Sequence, residues 1–166
     1  MCLILDTNRF GDTFSDPPRP AYVPLLRWLT DPDGDGSAVL GGTKYRLEVG
    51  KVDRARRFFV ERVRAGRVHS VDDAAVDAEE ARLHAAKACA SDDEHVVALA
   101  RISGARVVCT EDHALWDDVG DKGLLDRPRG RVYRTEDHIH LLHHDPGCRK
   151  SPSRKTADAK AKRRRF

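Results

Sequence analysis

Apolar residues in this chain fall into short unbroken runs, separated by stretches in which they recur every three or four positions. "CLIL" at 2–5 is an unbroken run ended by Asp6, which predicts a buried strand with a carboxylate at its C-terminal end. After the loop "DPPRP", Tyr22, Leu25, Leu26 and Leu29 recur at helical spacing until "DPDGDG" stops the helix. "SAVLGG" predicts a second strand and a glycine turn. Thr43 is placed to cap the helical segment "KYRLEVGK", and residues 53–65 predict an amphipathic helix with Phe58, Phe59 and Val63 facing inward. "RVHSV" predicts a third strand, Asp72 a cap for an alanine-rich helix over 73–89, and residues 92–103 a helix ended by Gly104. "RVVCT" and "RVYR" predict strands four and five.

Strands that are apolar throughout, interleaved with helices, predict an α/β fold: a central parallel sheet of four to five strands covered by helices on both faces. In such sheets ligands bind beyond the carboxyl ends of the strands. Asp6 follows strand one and Asp112 follows strand four, so both are expected at that edge.

Length and composition narrow the class. The chain has 166 residues, 40% apolar and 34% charged, which suits one globular domain, and no apolar run approaches the ~20 residues of a membrane helix. "MCLILDTN" lacks the features of a secretory leader, so the chain is expected to act in the cytosol. Cys2, Cys89, Cys109 and Cys148 are widely spaced in apolar settings, which predicts reduced thiols without a catalytic role.

Charge divides the chain at about residue 147. Residues 149–166, "RKSPSRKTADAKAKRRRF", carry nine Lys or Arg against one Asp, a formal +8; with +3 for the whole chain, −5 is left for the rest. The expected organisation is therefore a domain over 1–146 and a basic, disordered tail over 147–166. Arg163, Arg164 and Arg165 are candidate contacts to nucleic-acid phosphates. A merely solubilising tail is the alternative.

The acids carry the chemistry. If strands one and four pair, Asp6 and Asp112 lie on neighbouring strands ~4.8 Å apart. Asp93, in the first turn of the helix before strand four, and Glu48, in the helix after strand two, can reach the same rim. Two unit charges ~4 Å apart repel by about 4 kcal/mol at an effective dielectric near 20, and a divalent cation removes that conflict. All-oxygen ligands favour Mg²⁺ or Mn²⁺, ions that activate water and clamp phosphate oxygens in phosphodiester hydrolysis. Each acid also has an ordinary reading as a helix cap or solvated charge; Asp93 falls on the inward stripe, and Asp92 is the better cap. Lys44, Arg46 and Lys51, near Glu48, are candidates for substrate phosphates or ordinary helix charges.

"LILDTN", "GGTKYRLEV", "DDEHVVALA" and "RVVCTED" stand in the order and approximate spacing of the PIN-domain nucleases, and "WDDV" and "PRGRVY" resemble the end of such a domain. The resemblance covers roughly residues 2–135. It implies a parallel sheet flanked by helices, one or two Mg²⁺ or Mn²⁺ ions, and endonucleolytic cleavage of RNA, more often single-stranded. Asp6, Glu48, Asp93 and Asp112 match the acidic tetrad, as catalytic residues and metal ligands, and Asp118 the further acid. Thr7, Asn8 and Thr110 are then groups that orient carboxylates or water. Such proteins often act as toxins paired with an antitoxin, which makes that role an inherited analogy for this chain; an antitoxin partner and a homodimer are candidates only.

"TEDHIHLLHHD", capped by Thr135 if helical, brings His140 near His143 and His144, with His138 close by; a structural cluster is the better reading, since no metal-site spacing accompanies it. The chain has no G-x-S-x-G, Walker or G-x-G-x-x-G motif. "LDTN" lacks the second Asp of haloacid-dehalogenase-type phosphatases, and a receiver domain's phosphoacceptor is missing after strand three. The alternative from another class is a non-catalytic nucleic-acid-binding or scaffold module of the same fold.

Overall fold

Each of the five apolar runs forms a strand in the computed structural model of the chain, which describes residues 1–143, the backbone of His144, and Cys148. The strands are β1 (Cys2–Leu5), β2 (Ser37–Leu40), β3 (Val68–Ser70), β4 (Val107–Cys109) and β5 (Arg131–Tyr133). They form one all-parallel sheet in the order β3-β2-β1-β4-β5. Chain order reverses direction between β1 and β4, where Leu5 pairs with Cys109, so the expected neighbours meet at the sheet's switch point. β1 and β4 are buried along their whole length, which is why their sequences are unbroken apolar runs.

The described helices are α1 (Phe10–Thr13), α2 (Val23–Thr30), α3 (Thr43–Lys51), α4 (Asp53–Arg64), α5 (Asp73–Ala85), α6 (Glu94–Ser103), α7 (His113–Gly120) and α8 (Leu141–His144). Short 3-10 turns lie at Thr7–Arg9, Pro20–Tyr22 and Glu136–His138. α6 is the most enclosed: His95 through Ala100 are all buried, and Gly104 ends it in the left-handed conformation at φ 82°. No helix among the described residues is long and apolar enough to cross a membrane.

Several local expectations change. Thr43 does not cap α3; Gly42 takes the N-cap position at φ 83°. A Cβ there would stand 2.7 Å from Val76 Cγ1. The exposed amide and hydroxyl of Thr43 instead donate to Asp77 of α5, at 2.7 and 2.6 Å. Val63 was expected inside but is 52% exposed: the buried stripe of α4 comes down to Ala55 and Phe59, and the edge strand β3 is only three residues long. α5 stops at Ala85, short of 89, and α6 starts at Glu94 with Asp93 as N-cap, so Asp92 is an exposed loop residue and not the cap.

The reading of four reduced thiols is also corrected, because Cys2 and Cys148 form a disulfide with Cα atoms 5.6 Å apart. It joins the start of β1 to a residue that the charge pattern had assigned to the tail. Cys89 and Cys109 are free, and burial pushes the Cys89 thiol up to about 12 and raises that of Cys109 further, so both are poor nucleophiles at neutral pH. The remainder of the tail, including Arg163, Arg164 and Arg165, lies outside the described residues.

The histidine segment does not form one helix. Thr135 makes no side-chain cap, His138 Nδ1 accepts from the Arg134 amide at 3.1 Å, and His140 Nδ1 lies 3.1 Å from the Asp137 carbonyl. These are local turn contacts, in line with a structural cluster, and the His144 side chain lies outside the described residues.

Candidate functional site

Asp6 is placed by the sheet. Its amide donates to the Cys109 carbonyl at 2.9 Å, extending the β1–β4 ladder by one residue and fixing the carboxylate at the switch point. The residue is 1% exposed. Thr110 Oγ1 donates to Oδ2 at 2.7 Å and the Asn8 amide donates to Oδ1 at 3.1 Å. Burial raises the Asp6 pKa; the Thr110 and Asn8 hydrogen bonds and the charge of Arg9 pull it down, while Asp112 pushes it up.

Thr110 also joins the acids of β1 and β4. While its hydroxyl proton goes to Asp6, its oxygen accepts the Asp112 amide at 3.0 Å. Asp112 is the N-cap of α7, where Oδ1 accepts from the Leu115 amide at 2.9 Å. Trp116, one turn on, donates Nε1–H to the Thr110 carbonyl at 3.1 Å, and the Arg134 guanidinium lies 4.1 Å from its ring centroid.

Glu48 arrives from α3. The buried Tyr45 hydroxyl donates to the Leu5 carbonyl at 2.6 Å, which pins α3 to the end of β1. Glu48, three residues on, shares that side of the helix. Its Oε2 accepts from Thr7 Oγ1 at 2.7 Å and lies 3.0 Å from His95 Nε2.

Asp93 arrives on the loop before α6. Asp118, 3% exposed, accepts from the amides of Ala90 and Ser91 at 2.6 and 2.9 Å and from Ser91 Oγ at 2.6 Å. Ser91 Oγ in turn accepts the Asp93 amide at 3.3 Å. Asp118 therefore acts on Asp93 through Ser91 and stands behind the rim. Burial raises the Asp93 pKa, as do the charges of Asp6 and Asp112, against the opposing influence of His95 and Lys44.

The structure thus gathers Asp6, Glu48, Asp93 and Asp112 at one edge, joined through Thr7, Thr110 and His95. Asn8 takes part through its backbone, and its side chain is exposed. Lys44 reaches the Asp92 carbonyl at 3.4 Å, beside Asp93. Arg46 is committed elsewhere, to Asp73 at 2.6 Å and Ser70 at 3.0 Å, and Lys51 is exposed in the last turn of α3.

Two participants escaped the sequence. His95 reads as one more residue of a buried helix; its signal is that it is the one polar residue within the run "HVVALA". Arg9 is the cation nearest Asp6, yet it also binds Glu111 at 3.0 Å and Asp12 at 3.3 Å. Glu111 accepts from Arg19 and Tyr22 as well, a network with no signature in sequence spacing.

Among the described residues, no three His, Cys, Asp or Glu side chains form a ready-made metal cage. The donor set is nevertheless of the kind a hard cation takes: four carboxylates at one sheet edge, two of them with pKa values raised first by burial and then by neighbouring carboxylates. Mg²⁺ commonly binds through one or two carboxylates and keeps several waters. Asp6, Asp93, Asp112 and Glu48 could hold such an ion. The chain matches no protein-family model, and no curated protein or solved structure is found similar to it. The family resemblance rests on the motifs.

Proposed function

We propose that this chain is a metal-dependent endonuclease of the PIN type that hydrolyses phosphodiester bonds in single-stranded RNA. The observation that carries this reading is the convergence of four acids from different elements: Asp6 and Asp112 share Thr110 at the switch point, and Glu48 and Asp93 lie on either side of His95. Carboxylates grouped in this way repel one another when ionised, and a cation among them relieves that repulsion. Asp6 and Asp112, flanking the switch point, would hold the main ion, and Glu48 and Asp93 would complete or extend the site. When bound, Mg²⁺ or Mn²⁺ supplies an activated water and charge neutralisation at the phosphate. Thr110 fixes the Asp6 carboxylate, Thr7 fixes Glu48, and Lys44 provides a positive contact for substrate phosphate. The preference for RNA, an antitoxin partner and a homodimer enter through the resemblance alone.

Fluorescently labelled single-stranded RNA incubated with Mn²⁺, Mg²⁺ or EDTA tests the proposal. Cleavage that needs the ion and is lost in both Asp6→Asn and Asp112→Asn is expected; unimpaired turnover in both variants removes the assignment. A second reading, a non-catalytic nucleic-acid-binding module, is favoured by the use of Asp112 as a helix cap. RNA binding without cleavage under every metal condition would select it.

A further inference from the structure

His95 is 1% exposed and is followed in α6 by five buried apolar residues, Val96 through Ala100. A buried imidazole there needs a reason, since an unsatisfied buried polar atom costs about 1–3 kcal/mol. Local hydrogen bonding does not supply one: Nδ1 has no hydrogen-bond partner. Both ring nitrogens are directed at acids of the rim. Nε2 lies 3.0 Å from Glu48 Oε2, and Nδ1 lies 4.0 Å from Asp93 Oδ1. In that contact the Glu48 carboxylate accepts and Nε2–H donates. Thr7 Oγ1 donates to the same Oε2, so Glu48 is gripped from the end of β1 and from α6 together. Among the described residues its Oε1 takes no hydrogen bond and stays open to a ligand.

From this geometry we infer that His95 is a positioning residue for divalent-cation binding, holding Glu48 of α3 against α6 at the rim, beside Asp93. The inference rests on the metal-dependent reading of the site. His95 acts through Glu48, and its place between Glu48 and Asp93 marks it as belonging to the rim and not to the core. Hydrogen-bonding partners of this kind commonly govern metal affinity by about 10–100-fold.

The test is titration of the metal-free protein with Mn²⁺, following the electron paramagnetic resonance signal of the free ion, without RNA, in the wild type and in His95→Phe, His95→Gln and His95→Asn. Folding is followed by circular dichroism. Phe keeps a ring and donates nothing, Gln places an amide donor near the Nε2 position, and Asn places one near Nδ1, short of Glu48. The expected order of affinity is wild type, then Gln, then Asn and Phe, with Phe about 10–100-fold weaker than wild type. A folded His95→Phe that binds Mn²⁺ like the wild type overturns the inference and leaves the proposed function standing. If His95→Phe does not fold, Gln and Asn decide: Asn binding as well as Gln overturns it. A wild type that binds no Mn²⁺ overturns both, whereas one that binds Mn²⁺ in this order and cleaves no RNA removes the nuclease reading alone.

Discussion

Replacing Asp118 by Asn probes how the rim is supported from behind. The carboxylate accepts three hydrogen bonds, from two backbone amides and one hydroxyl, and is 3% exposed. Asn has almost the same shape but one oxygen becomes an amide donor. If that donor takes the Oδ1 position it faces the Ala90 amide; at Oδ2 it faces the Ser91 amide. Either way a backbone donor loses its acceptor and meets another donor. One unsatisfied buried donor costs about 1–3 kcal/mol, and hydrogen bonds to a charged acceptor lie at the upper end, so the expected loss is about 2–3 kcal/mol. At roughly 2–4 °C per kcal/mol for a chain of this size, the melting temperature should fall by about 5–10 °C. Urea unfolding in EDTA measures it, and the midpoint should move at unchanged m. Because Ser91 Oγ also receives the Asp93 amide, Mn²⁺ affinity should drop in parallel. A variant within about 0.5 kcal/mol of wild type would refute the view that Asp118 secures this loop.

Protonated Asp6 and Asp93 favour the folded state, because their folded pKa values are raised above the ordinary 3.8, and that contribution disappears as pH rises through the raised values. In EDTA, Asp6→Asn/Asp93→Asn should therefore be more stable than wild type at pH 7, with a gap that closes on acidification; scanning calorimetry across pH 4–7 reads it, and a constant gap contradicts the electrostatic cause. Gly42→Ala should cost about 2–3 kcal/mol in urea unfolding, since φ is 83° and the new Cβ meets Val76 at 2.7 Å; a neutral result would mean that α3 can shift freely. Cys2 and Cys148 are 146 residues apart, and the chain-entropy model gives about 5 kcal/mol for a closed loop of that length, so dithiothreitol or Cys148→Ser should lower stability by up to that amount, measured by the same unfolding. An unchanged midpoint would show that this bridge contributes nothing to stability.

What was legible in the sequence was what neighbours in the chain decide. "CLIL" and "RVVC" become the two fully buried strands because no polar residue interrupts them, and the carboxylates after them land at the switch point because β1 and β4 pair. Asp72 and Gly104 begin and end their helices as single-residue chemistry requires. What was not legible depends on partners far away in sequence. The N-terminus of α3 is held by Asp77, 34 residues on, so Thr43 looked like a cap and is not one. Arg46 is drawn to Asp73, and the Cys2–Cys148 pairing is fixed by where the end of the described chain returns. His95 stayed hidden because its role is defined by Glu48, 47 positions earlier.

The way acids are neutralised separates the rim from the arginine-paired acids of the surface. Several carboxylates elsewhere are matched to arginine: Glu111 and Asp12 to Arg9 and Arg19, Asp73 to Arg46, Glu79 to Arg82 and Arg101. At the rim the donors are different. Asp6 is held by a threonine hydroxyl and an amide, Asp112 by an amide, and Glu48 by a threonine and a histidine. Hydroxyls and amides orient a carboxylate without cancelling its charge. A fold that merely tolerated these acids would do better to pair them, as it does at Glu111, because a bound guanidinium would relieve the repulsion between them. Among the described residues no Lys or Arg forms an ion pair with the four; Arg9, the cation beside Asp6, spends its contacts on Asp12 and Glu111, and Lys44 reaches only a carbonyl. The four acids are therefore oriented without a paired Lys or Arg, the arrangement on which the proposed metal-dependent function rests.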